Sequence, residues 1–350
     1  MRVSLVTLGD PGTQTGGYLY HRRLAGAAPR HGADFGFVSF PGRPFPLPAA
    51  SGRDVLTAVS AADVVVVDSI AAAYAGPWLG RARRPVVGML HQGPGGIDHG
   101  PLRTRLQARL DRLAYRHMRV LLVASDALAE DLRDLHHDVR VIAPGRDVAA
   151  APDPAVSDLR RGRAAAFLCV GNWVPRKGIV ELLDAFAQLD DRAATLHLVG
   201  DDHVQARYAR RVRRRISTVA DRVVVHGVVP KERVAALYRD ADVFVMPSLK
   251  EPYGTAYAEA MAAGLPVVGW RAGNLPHLAR HEHEGLVVDP HDVAGLAAAL
   301  RRLSQDVELR SRLGNAARER AQTFPTWEET ATAFFGALRS ASGSWPPDRR

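Results

Sequence analysis

Two carboxylates, Glu251 and Glu259, stand in the stretch EPYGTAYAEAMAAGLPVV (residues 251–268) with seven residues between them. Glu251 follows the apolar run VFVMPS, which reads as a buried strand, and Pro252 and Gly254 mark a turn. From Thr255 the small residues AYAEAMAA predict a helix that Gly264 and Pro266 end. Glu251 is therefore expected on a strand-exit loop and Glu259 one turn inside the next helix. Between them lie the unpaired N–H groups and positive dipole end of a helix start, near Gly254 and Thr255. Two hydrogen-bond acceptors flanking an anion-friendly helix end suit a ligand with both hydroxyls and phosphate, such as a sugar nucleotide.

Three other stretches could do chemistry. In GNWVPRKG (171–178), Lys177 stands just before a predicted helix start, where a cation opposes the dipole unless an anion sits between them. That conflict argues for phosphate, although surface lysines are common. In GDPGTQTGGYLYHRRLA (9–25), Gly16 and Gly17 precede a helix expected near Tyr18 and would let a ligand approach bare backbone. The stretch has neither the P-loop nor the G-x-G-x-x-G spacing, and a glycine-rich turn without a ligand would look the same. In LHQGPGGID, His91 follows an apolar run and could bond a sugar or move a proton, while a purely structural loop histidine fits equally well. No metal signature appears: HEH at 281–283 lacks ligand spacing, and His136 and His137 are expected at a helix end.

These residues need strand ends to hold them, and the chain supplies them. Apolar runs at 3–8, 35–40, 63–68, 85–90, 120–124 and 139–142 alternate with segments of helical length. Residues 147–163, rich in Pro, Asp and Ser, read as a linker. The alternation resumes at 165–170, 195–200, 222–227, 242–247, 265–270 and 285–288, and 291–338 is almost wholly helical. Such a pattern predicts two parallel-sheet α/β units facing a cleft, with ligands bound at the carboxyl ends of strands. The expected divisions are 1–155, 156–323 and a closing helix at 324–340.

Among the 350 residues, 47% are hydrophobic and 24% charged, ordinary values for a soluble globular chain. No apolar run approaches a membrane span, MRVSLVTLGDPG reads as a first strand rather than a leader, and the single Cys169 lies in an apolar run. The cytoplasm is the expected location. The net charge of +9 is carried largely by arginine and clusters at 101–119 and 205–217. Both clusters predict helices, with Leu102, Leu106, Leu110 and Leu113 forming an apolar stripe on the first. Neither interleaves aromatics, which argues against nucleic acid and leaves contact with a membrane surface open.

Taken together, the motifs resemble the retaining glycosyltransferases of family 4, which have the GT-B fold. The resemblance covers nearly the whole chain and is strongest from 165 to 335. Glu251 and Glu259 match the family's E-x7-E pair, preceded by VVVHGVVPKERVAALYRDADVFVMPS; HLVGDD, IAPGRD, GGYLY and FPTWEETATAFFGAL match further stretches. The resemblance implies that Glu259 binds the nucleotide ribose and Glu251 the transferred sugar, with amides of Gly254 and Thr255 on hydroxyls or phosphate. It implies that Lys177 neutralises the diphosphate, that Gly17 places an amide nearby, and that His91 lies at the donor sugar. The closing helix would pack back on the first domain. The implied activity is a hexosyl-type transfer from a nucleoside-diphosphate sugar to a small-molecule or glycan acceptor, with no cofactor and no metal.

Two positions depart from the pattern. Asn172 stands where the family commonly has a phosphate-binding arginine, with Arg176, Arg146 and Arg271 as replacement charges, and His277 stands where Glu is usual. A nucleotide-sugar epimerase or hydrolase of the same fold, or a non-catalytic nucleotide-sugar-binding protein, would carry much of the same pattern. The acceptor and the oligomeric state are not written in the motifs.

Overall fold

The computed structural model describes residues 1–12, 16–147 and 158–343. It divides into two units, Met1–Asp147 with the residues from Pro325 onward, and Val148–Phe324. The first contains β1 (Arg2–Leu8), α1 (Gly16–Ala27), β2 (Asp34–Phe40), α2 (Gly52–Ala58), β3 (Val64–Asp68), α3 (Ala72–Leu79), β4 (Val86–Leu90), α4 (Pro101–Tyr115), β5 (Val120–Val123), α5 (Asp126–Leu132) and β6 (Val139–Val141). Its six-stranded sheet is parallel, in the order β2-β1-β3-β4-β5-β6.

The second unit contains β7 (Ala165–Val170), α6 (Ile179–Phe186), β8 (Ala194–Val199), α7 (Ala206–Ile216), β9 (Val223–Gly227), α8 (Lys231–Asp240), β10 (Val243–Val245), α9 (Thr255–Ala263), β11 (Val267–Trp270), α10 (Leu275–Leu278), β12 (Gly285–Val288), α11 (Val293–Gln305) and α12 (Val307–Gln322). Its sheet is also six-stranded and parallel, ordered β12-β11-β10-β7-β8-β9. In both sheets the strand order reverses beside the strand that opens the unit, the switch point where loops diverge and ligands bind in such folds.

Strands covered on both faces need apolar residues at every position, and β3 shows how they are used. Val64 and Val66 join one core with Val3, Leu5, Val87 and Leu122, while Val65 and Val67 join the core on the other face with Val6, Leu121 and Val123. The second unit has one continuous core that includes Phe167, Phe186, Phe244 and the fully buried Trp173 and Trp270. Asp292 and Asp306 cap α11 and α12, accepting hydrogen bonds from Gly295 N and Leu309 N at 2.8 Å.

The last helix, α13 (Trp327–Gly343), completes the first unit. Phe334, Phe335 and Leu338 are fully buried against Tyr20, Leu24 and Val66, and Thr330 Oγ1 donates to Ala143 O at 2.9 Å.

Three expectations need correction. Gly16 and Gly17 do not precede the first helix; they form its first turn, because glycine helical conformation is permitted where N–H groups are unpaired anyway. Of the expected linker, residues 148–157 lie outside the described residues, but 158–163 belong to the second unit. Leu159 is buried in its core, and Arg160 binds the Asp242 carboxylate through two contacts of 2.9 and 2.5 Å. His136 lies beyond α5 rather than ending it, with ring nitrogens at 3.0 and 2.8 Å from the backbone oxygens of Asp138 and Met118.

Truncating Phe334 to Ala should cost the first unit about 3–5 kcal/mol, the usual effect of removing a buried aromatic. Urea unfolding followed with probes in each unit would show the loss. An unchanged midpoint would mean that α13 is not part of that core.

Candidate functional site

In the second unit the candidate residues cluster at the carboxyl ends of β7 and β10. The chain leaves β7 at Gly171, turns through a short 3-10 segment at Pro175–Lys177, and enters α6 after Gly178. Leaving β10, it passes Ser248 and reaches Glu251 before α9. The two loops are stitched by Leu249 N donating to Arg176 O at 2.8 Å, and Ser248 Oγ lies 3.0 Å from the same oxygen.

Glu251 Oε1 is the centre of the cluster. It lies 2.6 Å from Lys177 Nζ and 2.9 Å from Arg176 Nη1, and accepts from Ser248 Oγ at 3.0 Å. Glu251 is only 8% exposed. Arg176 Nη1 also donates to Lys250 O at 2.9 Å. The predicted conflict of Lys177 with a helix dipole is thus answered by a carboxylate of the chain itself. Two cations meet one carboxylate, so the cluster keeps an excess charge of about +1. Arg176, beside the lysine in sequence, points at the same oxygen.

Close backbone approaches fix this arrangement. Gly178 has φ +67°, and a Cβ there would lie 2.1 Å from Pro247 O, so only glycine lets the two loops touch. Gly273, at φ +55°, would bring a Cβ within 2.7 Å of Glu251 N. Asn274 N donates to Glu251 O at 3.0 Å, and its side chain donates to Tyr253 O at 2.8 Å.

Beyond Glu251, Gly254 caps α9 without a side-chain hydrogen bond, leaving first-turn N–H groups for another acceptor. Thr255 and Glu259 are both exposed, and their i,i+4 spacing puts them on one face of α9. Behind Glu259 lies Tyr238, whose hydroxyl donates to Ala256 O at 3.2 Å. Burial, reinforced by the Glu259 carboxylate, holds that hydroxyl well above the usual tyrosine range.

Asn172 is exposed, and its Oδ1 accepts from Asp201 N at 3.1 Å, so it shapes the β7 exit. Of the alternative cations, Arg271 pairs with Asp289 at 3.1 Å on the surface, and Arg146 lies in the first unit, its N–H on Pro325 O. His277 follows Asn274 on α10, and its backbone oxygen accepts from Arg320 Nη2 at 3.1 Å.

The first unit holds Gly16, Gly17 and His91. A Cβ on Gly17 would sit 3.6 Å from His91 Cδ2, so the opening turn of α1 lies against that ring. His91 Nε2 is 2.8 Å from His21 Nε2, and His21 Nδ1 is 3.8 Å from Asp68 Oδ2. Thr7 Oγ1 donates to Asp68 Oδ2 at 2.9 Å, Ser69 Oγ donates to Oδ1 at 3.1 Å, and His91 N donates to Ser69 Oγ at 3.2 Å. His21, Asp68 and Thr7 escaped the sequence reading. None of them belongs to a recognisable motif, and the only hint was the position of Asp68 at the end of VVVVD.

Burial pushes His21 down to about 4. Burial and the neighbouring His21 ring push His91 down to about 3, against an opposing pull from Asp68. Burial raises the Asp68 carboxyl, although its hydrogen bonds work the other way. His21, Asp68 and His91 offer ligand-type atoms within 4.8 Å of one another. Two imidazole nitrogens on one tetrahedral ion sit about 3.3 Å apart, so their closer approach here suits a shared proton.

Comparison with known proteins gives this arrangement its context. Residues 1–150 match the profile described as Glycosyltransferase Family 4, and residues 164–306 match Glycosyl transferases group 1. The chain belongs to the family 4 type of glycosyltransferase. It is 34% identical over 238 residues to a D-inositol 3-phosphate glycosyltransferase of Corynebacterium efficiens, covering 61% of this chain and 55% of that protein. A glycogen synthase of Mycobacterium tuberculosis is 30% identical over 260 residues, 71% of this chain and 61% of that protein. The match thus spans little more than half the length of the first relative.

Among solved structures, a sucrose-phosphate synthase from Thermosynechococcus elongatus superposes with a TM-score of 0.82 at 23% identity, covering 98% of this chain and 99% of that one. Anabaena HepE in complex with UDP-glucose gives 0.81 at 21% identity, covering 97% and 99%. These likenesses establish the GT-B fold.

Removing the shared carboxylate should be costly. Glu251→Ala leaves Arg176 and Lys177 without their common partner, and the loss is expected at about 3–5 kcal/mol in urea unfolding. A loss under about 1 kcal/mol would show that solvent already neutralises the pair.

The histidine pair predicts an acid-sensitive stability. Unfolded, each imidazole protonates near its ordinary value of 6.5; folded, both stay neutral down to about 4 and about 3. The unfolded chain then binds more protons, so the pair's contribution is full above pH 6.5 and falls as the pH drops below it. Asp68 acts in the opposite sense, because its carboxyl is harder to ionise folded than unfolded. His21→Gln should flatten the decline between pH 6.5 and 4 in urea unfolding run at several pH values. An identical pH slope in this variant would refute the buried, neutral assignment.

Proposed function

We propose that the chain is a retaining glycosyltransferase that moves a hexosyl group from a nucleoside-diphosphate sugar to an acceptor. The observation that carries the reading is the convergence of Arg176 and Lys177 on Glu251 beside the open first turn of α9. Breaking a sugar–phosphate bond leaves positive character on the sugar carbon and adds one negative charge to a diphosphate that already carries two. The excess positive charge of the cluster and the α9 amides at Thr255 would hold that diphosphate, which needs no resident metal. Glu251, fixed by the same cations, would accept from the sugar hydroxyls, and exposed Glu259 from the ribose. In the first unit, His91 would act as a neutral hydrogen-bonding ring rather than as an acid. The names of the relatives support transfer chemistry, and the UDP-glucose held by HepE supports a nucleotide-sugar donor.

Thermal-shift screening against nucleoside diphosphates and their sugars should find a stabilising ligand, since binding to the folded state raises its melting temperature. With that ligand, Glu259→Ala should weaken binding by roughly 10- to 100-fold in calorimetry, as expected for lost hydrogen bonds to a charged group. Glu251→Ala should chiefly slow transfer. Unchanged affinity in Glu259→Ala would remove the ribose assignment, and an inverted anomeric proton signal in the product would remove retention.

A further inference from the structure

We infer that α4 is a docking face for an anionic lipid surface. The helix carries an apolar stripe, and three of its four leucines face outward while Leu110 is half-buried. Gln107, Ala108, Asp111, Ala114 and Tyr115 form the buried side, whereas Leu102, Leu106 and Leu113 are 83%, 49% and 47% exposed. Asp111 is held inside by Gly95 N, which donates to its Oδ2 at 2.8 Å. At 100° per residue, the three leucines fall within about 40° of one another around the helix. Arg105, Arg109, Arg112 and Arg116, all exposed, fall within about 60° on the flank of that row.

Each row constrains the partner. The leucines need an apolar phase, and the arginines need fixed negative charge within reach. A nucleic acid would use the arginines and leave the leucines in water. In a second copy paired antiparallel through the leucines, the two arginine rows would lie side by side, on chains that each carry +9. An anionic bilayer surface accepts both rows, with the leucines among the upper acyl chains and the arginines at the headgroups. With 15 residues α4 would lie in that plane, and no described helix is long and apolar enough to cross a membrane. The inference rests on the surface of the first unit alone and stands apart from the proposed reaction.

The test is co-sedimentation of the full chain with vesicles of phosphatidylcholine alone and of phosphatidylcholine mixed with phosphatidylglycerol, at low and high salt. The chain should pellet with the mixed vesicles and much less with the neutral ones. Replacing Arg105, Arg109 and Arg112 together by Gln should lower the partition about 100-fold at low salt. Replacing Leu102, Leu106 and Leu113 together by Ser should remove the binding that survives high salt. Circular dichroism would confirm that these surface variants fold. As a control for charge alone, Arg207, Arg210 and Arg214 of α7 replaced together by Gln should change the partition only a few-fold. Failure of the parent chain to bind mixed vesicles would overturn the inference, as would a serine variant that binds like the parent or an α7 variant that loses as much as the α4 variant. A dimer in sedimentation equilibrium that the serine variant dissolves, without vesicle binding, would assign the face to a second copy instead.

Discussion

One carboxylate oxygen organises the second unit's candidate site. Glu251 Oε1 gathers Lys177, Arg176 and Ser248, so the loop after β7 and the loop after β10 cannot move independently. The backbone oxygen of Glu251 then takes Asn274 N, drawing in the loop after β11. A buried anion between two cations is favourable only when all three are held in place. Here Gly178 and Gly273 provide the close backbone packing that holds them. The open first turn of α9 inherits its position from the same knot, since Gly254 lies three residues beyond Glu251.

Most of the architecture could be read from the chain. Strands covered on both faces have to be apolar throughout, and runs such as VVVVD and AAFLCV stand out between helical segments for that reason. The motif residues were visible because glutamate, lysine and glycine at strand exits contradict their local surroundings. What remained hidden were interactions of long range. Nothing local connects Lys177 with Glu251, and a lysine opposing a helix dipole reads the same whether its counter-ion is a ligand or a distant glutamate. Thr7, His21 and Asp68 come together only once β1, α1 and β3 are side by side. On α4, periodicity revealed a leucine stripe, but it could not say which side the rest of the unit would cover. Gln107 and Asp111 lie on the inner side, where one Asp111 oxygen accepts from Gly95 N.

The two units differ in the chemistry they bring. The second concentrates charge: cations, a buried carboxylate and a helix start. The first contributes a largely uncharged polar chain in which burial keeps both imidazoles neutral beside Asp68. Relatives of the same fold are named for inositol phosphate, glycogen and sucrose phosphate, so the scaffold alone does not select an acceptor. That selection falls to loops and surfaces whose residues are not tied to the sheet.

The placement of α13 has a consequence for synthesis. The second unit is one unbroken stretch of chain, whereas the first is written in two pieces on either side of it. As the polypeptide emerges, the second unit can close its core as soon as α12 is out. The first must wait, with the apolar faces of α1 and its sheet uncovered, until Phe334, Phe335 and Leu338 arrive. The portion made first is therefore the portion finished last, and it is the one that a nascent-chain chaperone would have to shield.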